Sequence, residues 1–225
     1  MRLNSLSLDA YMQKYIWTPL GIKNMTFHKA THEGVQKNLV KMRQRGRFEN
    51  PALVFMTPVE GEVEWYDAEI YDKVIPEGGE FGGQGGVGSA SDYLKILRSL
   101  LLDDGVLLKS ETIDKMFTPQ ISDEVAKGLE VMIVNPLLQG KFGSRPVGTK
   151  VSYGLTGMLI QSDLETGLKK GTLTWSGLPN LLWTIDREKG LACFYACNLV
   201  PWGDVKINSM QQAFEKEMYR RVAEE

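Results

Sequence analysis

Hydrophobic and polar positions alternate most regularly between Lys170 and Asn198. Leu173 and Trp175 alternate with Thr172, Thr174 and Ser176, the period-two pattern of a half-buried strand. Ser176-Gly177-Leu178-Pro179-Asn180 breaks the run, Leu181 to Ile185 resumes it, and Asp186 to Gly190 is a polar turn. Leu191 to Leu199 is apolar almost throughout, which predicts a central strand covered on both faces. Connections this short predict an antiparallel meander. Upstream, Tyr153, Leu155, Gly157 and Leu159 alternate, so Val151 to Ser162 reads as one more strand.

Elsewhere the apolar period is helical. Ser7 can cap a helix to Trp17 whose apolar residues are Leu8, Tyr11, Met12, Tyr15 and Ile16, ended by Pro19 and Gly21. Ser89 or Ser91 caps a second, with Leu94, Leu97, Leu100 and Leu101 apolar, stopped by Asp104-Gly105. Ser110 is expected to cap a short third helix burying Ile113, Met116 and Phe117. Ser122 to Val134 is a fourth, with Val125, Leu129 and Met132 on one side. Ile207, Met210, Gln211, Phe214, Met218 and Val222 predict a C-terminal helix packed across the sheet. Residues 28–47 read as helical or irregular, with Lys37, Lys41, Arg43, Arg45 and Arg47 on a solvated face. Residues 51–77, with three prolines and an acidic run, read as short strands or surface loops. The fold class is therefore α+β, an antiparallel sheet flanked by helices. Residues 1–149 form a mostly helical and loop region, and residues 150–225 the sheet and last helix of the same domain.

Composition narrows the function classes. The 225 residues are 43% hydrophobic and carry a net charge of −2, enough apolar material for a sizeable core and no bulk attraction to nucleic acid. No apolar run is long enough to span a bilayer, and the N-terminus lacks a leader's apolar core, so the expected location is cytoplasmic. Cys193 and Cys197 fall on one predicted strand, poorly placed for a disulfide and read as buried thiols. His28 and His32 could share a helix face, but no third ligand accompanies them, and neither a metal nor a cofactor is expected. The glycines at 82, 83, 85, 86 and 88 lack the Lys of a phosphate loop and the preceding strand of a dinucleotide site. They are expected to let backbone pass close to other elements.

Several phrases together resemble the β-lactamase/transpeptidase-like serine hydrolases, in their esterase and acyltransferase branch. They are Pro19-Leu20-Gly21, Gly82-Gly83-Gln84-Gly85 followed by the helix of Tyr93, the segment from Lys109 to Met116, and the segment from Trp175 to Asp186. The resemblance implies that Trp175-Ser176-Gly177 stands where the family carries Lys-Thr-Gly on an edge strand lining the active site. It implies a backbone N–H of Leu178 holding the oxyanion, Gly177 keeping the strand open to substrate, and Ser176 able to hydrogen-bond it. Trp175 in place of Lys removes the cation that would engage a substrate carboxylate, which implies neutral ester or thioester substrates.

The family's nucleophile and base stand in a Ser-x-x-Lys motif, and a Tyr assists them. No Ser in this chain has Lys three residues on, and Gly-x-Ser-x-Gly is also absent. Met1-Arg2-Leu3 resembles the last turn of the helix that bears the Tyr in relatives, so the chain is expected to start in mid-domain. The resemblance thus implies the C-terminal portion of a serine hydrolase or acyltransferase, inactive alone. The alternative is a non-catalytic remnant binding a ligand or partner, with exposed sheet edge inviting association. A third reading uses Ser176 as nucleophile, without a base near it in sequence.

Overall fold

The computed structural model describes residues 5–46, 65–67 and 78–224. Met1-Arg2-Leu3, Arg47 and nearly all of 51–77 lie outside them, so the expectations placed there are not addressed. Ser7 accepts the Ala10 N–H at 3.2 Å and caps α1 (Leu8–Met12), which continues as a π-helical turn over Gln13–Trp17. Trp17, Ile22 and Phe27 then form a small core of their own. β1 (Met25–Thr26) follows, then α2 (Glu33–Lys37), whose cap is the His32 ring accepting the Val35 N–H at 3.2 Å. His28 precedes that helix and pairs instead with Glu80 at 3.1 Å, so the two histidines share no helix face. The basic cluster is no helix face either. Arg43 to Arg45 form β2 (Arg43–Arg45), which pairs antiparallel with β3 (Trp65–Asp67). Arg45 is buried and bound to Asp204 at 2.5 Å.

The Gly-rich run leads into β4 (Val87–Gly88), antiparallel to β1. A Cβ at Gly88 would sit 2.6 Å from the Met25 side chain, so bare backbone is needed where the strands meet. Ser89 caps α3 (Ala90–Leu102) by accepting the Asp92 N–H at 3.1 Å, and Asp103, at φ 50°, ends it in the left-handed region. α4 (Ser110–Met116) starts at its expected cap residue, one position earlier than expected. Lys109 holds the cap position, and the Ser110 hydroxyl donates to Asp103 at 3.0 Å. α5 (Asp123–Ile133) has Ser122 as its cap.

Five strands make the main sheet, all antiparallel, in the order β5 (Val151–Tyr153), β6 (Met158–Ile160), β7 (Leu173–Gly177), β8 (Leu181–Asp186), β9 (Leu191–Tyr195). The single strand expected over 151–162 is a hairpin. Its turn is Gly154 to Gly157, and a Cβ at Gly154 would lie 1.9 Å from the Met116 carbonyl oxygen. The long strand expected over 191–199 also divides. β9 stops at Tyr195, and β10 (Leu199–Val200) leaves the sheet to run parallel to β2. β9 is terminal in the described order rather than central. It is apolar because helices cover both its faces. Tyr93 of α3 lies 4.5 Å from Phe194, and Phe214 of α6 (Val205–Ala223) lies 5.7 Å from Tyr195, ring centre to ring centre.

The core is layered about this sheet. Ile113 and Met116 of α4 meet Leu159 and Leu173. Ile133 of α5 and Tyr219 of α6 meet Val151, Met158, Ile160 and Leu168. α5 is rotated from its expected setting: Ile133 is its fully buried residue, while Val125 is 57% exposed. α6 is rotated too. It buries Ile207, Asn208, Gln211, Glu215 and Tyr219, and Met210 is 57% exposed. Buried polar partners lie beneath it, Asp186 at the end of β8 and Arg145 in the loop before β5, and they explain the rotation. Tyr219 donates to Asp186 at 2.8 Å, and Glu215 takes both terminal nitrogens of Arg145 at 2.7 and 3.0 Å. Among the described residues, no helix is long and apolar enough to cross a membrane.

Candidate functional site

β7 pairs with β8 along its whole length, but with β6 only through Leu173 and Thr174. The strand is therefore internal at its start, not an edge strand throughout. Trp175, Ser176 and Gly177 project beyond the end of β6, because the hairpin turn at Gly154–Gly157 ends that strand early. On that side the three residues have no strand partner among those described.

Each of the four candidate residues has a definite setting. Trp175 is half-buried and meets Phe142 and Tyr153 edge-on, with ring centres 5.8 and 5.4 Å away. Such pairs add roughly 1 kcal/mol beyond their burial and hold the indole in place. The Ser176 hydroxyl donates to the Lys141 carbonyl. A hydroxyl has one proton, so this bond commits it to the backbone. Gly177 closes the β7–β8 ladder opposite Leu181. Leu178 begins the three-residue turn, and its N–H meets no acceptor among the described residues.

Asn180 fixes that turn. It is 1% exposed and left-handed, at φ 57°, a conformation that Asn tolerates better than most residues. Its Nδ2 donates to the Leu199 and Pro201 carbonyls, both at 2.8 Å, and its Oδ1 accepts the Gly203 N–H at 2.8 Å. Gln211 of α6 donates to its carbonyl at 2.8 Å. The turn carrying Leu178 is thereby tied to the loop before α6 and to the helix itself.

Lys141 was not anticipated from the sequence. It lies in a 3₁₀ turn, Gln139–Phe142, pressed against the end of β7. It is 7% exposed, with its ammonium 5.6 Å from the Trp202 ring centre, and burial pulls its pKa below the usual lysine range. The nearest sequence signal was the pair of glycines around it. A Cβ at Gly140 would meet Asn208 Nδ2 at 2.5 Å, and Gly143 has a φ of 77°. Burial likewise raises the Tyr153 hydroxyl and carries the Cys193 thiol up to about 11. Both cysteines are free, Cys193 buried and Cys197 half-buried.

The layered α+β sheet matches the β-lactamase-like fold of solved relatives. The family model described as Beta-lactamase matches residues 2–215, and the chain belongs to that family. It is 32% identical over 222 residues to monacolin J acid methylbutanoyltransferase of Aspergillus terreus, covering 97% of this chain and 50% of that protein. It is 33% identical over 226 residues to lovastatin esterase of Penicillium rubens, covering 99% of this chain and 53% of that protein. A mutant simvastatin synthase from Aspergillus terreus superposes on 100% of this chain and 52% of its own, with a TM-score of 0.85 at 30% identity. The chain thus spans about half the length of these relatives.

Proposed function

We propose that this chain supplies the wall and oxyanion donor of an acyl-transfer site that works through an acyl-serine. The nucleophile and base come from residues that this sequence does not contain. The observation that carries the reading is the end of β7, where Trp175 to Gly177 run past β6 and the Leu178 N–H has no acceptor among the described residues. A carbonyl lying along this strand would direct its oxygen at that N–H as charge develops in the tetrahedral intermediate. A donor of this kind accounts for roughly 10²–10³ in kcat in acyl enzymes. Trp175, backed by Phe142 and Tyr153, presents an aromatic surface to the acyl group. The substrate is accordingly a small acyl ester or thioester. The named activities of the relatives, methylbutanoyl transfer and ester hydrolysis, accord with this class.

Hydrolysis of p-nitrophenyl butyrate, with intact-mass detection of an acyl adduct, tests the reading. The chain alone is expected to give no turnover and no adduct. Mixed with the N-terminal half of monacolin J acid methylbutanoyltransferase, it is expected to restore turnover and an acyl adduct on that partner fragment. In the mixture, Leu178→Pro removes the N–H and is expected to lower kcat about 100-fold, whereas Leu178→Ala keeps it. An adduct on this chain alone would make Ser176 or another residue here the nucleophile, and would sink the proposal.

A further inference from the structure

A three-residue hairpin loop is most often a type I turn closed by a left-handed residue, and Asn180, at φ 57°, is that last residue. Pro179 opposes the rest of the pattern. The residue before a proline is pushed out of the helical conformation that a type I turn needs first, and that residue is Leu178. No backbone-to-backbone hydrogen bond involves Leu178, Pro179 or Asn180 among the described residues. The turn is fixed from outside instead, by the Asn180 side chain and by Gln211, whose Nε2 donates to the Asn180 carbonyl at 2.8 Å. Gln211 is 3% exposed, and α6 is anchored on either side of it. Before it, Asp204 accepts the Ile207 N–H at 3.0 Å and binds Arg45 at 2.5 Å. One turn after it, Glu215 binds Arg145 at 2.7 Å. The Gln211 amide is thus a fixed point against which the turn is held.

We infer that Gln211 is a positioning residue for the oxyanion donor. Acting through the Asn180 carbonyl, it sets the direction of the Leu178 N–H, and it touches neither substrate nor reacting atoms. Removing its amide leaves a buried carbonyl unpaired, and the turn loosens to find that oxygen another donor. A misdirected N–H stabilises the developing oxyanion less, while the ground-state contacts of the acyl group along Trp175 are kept. The catalytic consequence rests on the function proposed above. The hold on the turn does not.

Two measurements with the full chain test it. The first is the NMR order parameter of the Leu178 amide in the chain alone, expected to fall from about 0.85 to below about 0.6 in Gln211→Met. Met210→Ala, at the neighbouring exposed position, is expected to leave it unchanged. The second is p-nitrophenyl butyrate turnover in the mixture with the N-terminal half of monacolin J acid methylbutanoyltransferase. There Gln211→Met is expected to lower kcat about tenfold with KM unchanged. In a Leu178→Pro background, where the N–H is already gone, it is expected to cost nothing further. Gln211→Glu adds a pH signature and decides should Gln211→Met fail to fold. Its order parameter, and its kcat relative to the parent chain, are expected to recover as pH falls, because a protonated carboxyl can donate to the Asn180 carbonyl. An unmoved order parameter in Gln211→Met, or one in Gln211→Glu that ignores pH, overturns the inference. So does a raised KM at unchanged kcat, or an equal cost in the Leu178→Pro background. A lowered order parameter without turnover in the mixture rejects the acyl-transfer reading alone. Turnover in the mixture that Gln211→Met leaves intact rejects the positioning role alone.

Discussion

Asn180 shows how much of this site rests on single side chains. It meets a left-handed backbone requirement and three hydrogen bonds at once while fully buried. Asn180→Ala is expected to cost about 3 kcal/mol in urea unfolding, and Asn180→Gly, which relieves the backbone, somewhat less. Glu215→Gln leaves Arg145 facing a neutral amide in the core and is expected to cost about 3–5 kcal/mol, with much of it recovered in the double variant Arg145→Met/Glu215→Leu. Cys193 adds a pH dependence. Its folded pKa, about 11, lies above the 9.0 of an unhindered thiol, so the unfolded state releases its proton first. The stability it contributes is whole below pH 9.0 and is lost as pH rises toward 11. Thermal melts across that range should show the decline, and Cys193→Ala should reduce it. None of these ion pairs was legible in the sequence. Arg45 meets Asp204 across 159 residues and Arg145 meets Glu215 across 70, and no local pattern encodes such distances.

Helix starts were legible because their chemistry is local. Ser7, Ser89 and Ser122 each accept an N–H three residues on, as their positions before apolar runs implied. Ser89→Ala is expected to cost about 1 kcal/mol in chemical denaturation. Helix rotation was less legible, because it depends on what lies opposite. α6 turned a polar stripe inward to meet Asp186 and Arg145, which the apolar period alone could not show. The strand expected over 151–162 was misread because glycines there serve a turn rather than an alternation. Gly154 fits both roles in the sequence, and only the approach of the Met116 carbonyl decides between them. Gly154→Ala is therefore expected to disrupt the β5–β6 hairpin, read as a loss of several degrees in Tm and of protection from amide exchange in β6.

At the scale of the molecule, the ordered phrases Gly-Gly-Gln-Gly, Lys109 to Met116 and Trp175 to Asp186 located the family, and its model matches residues 2–215. The chain spans about half the length of the relatives it matches. Two purified pieces mixed at micromolar concentration are expected to co-elute on size exclusion if the reconstitution above is real, and separate elution would count against it. By itself the sequence determined the helix caps at Ser7, Ser89 and Ser122, the β7–β8–β9 meander and the position of Trp-Ser-Gly, because each depends on residues within a turn or two of one another. Tertiary structure alone decided that β6 stops short of Trp175, that β9 lies at the end of the described order, that α6 turns Asn208, Gln211 and Glu215 inward, and that Lys141 is buried beside Trp202. Each of those outcomes is set by contacts between segments far apart in the chain, where burial and charge pairing outweigh any local preference.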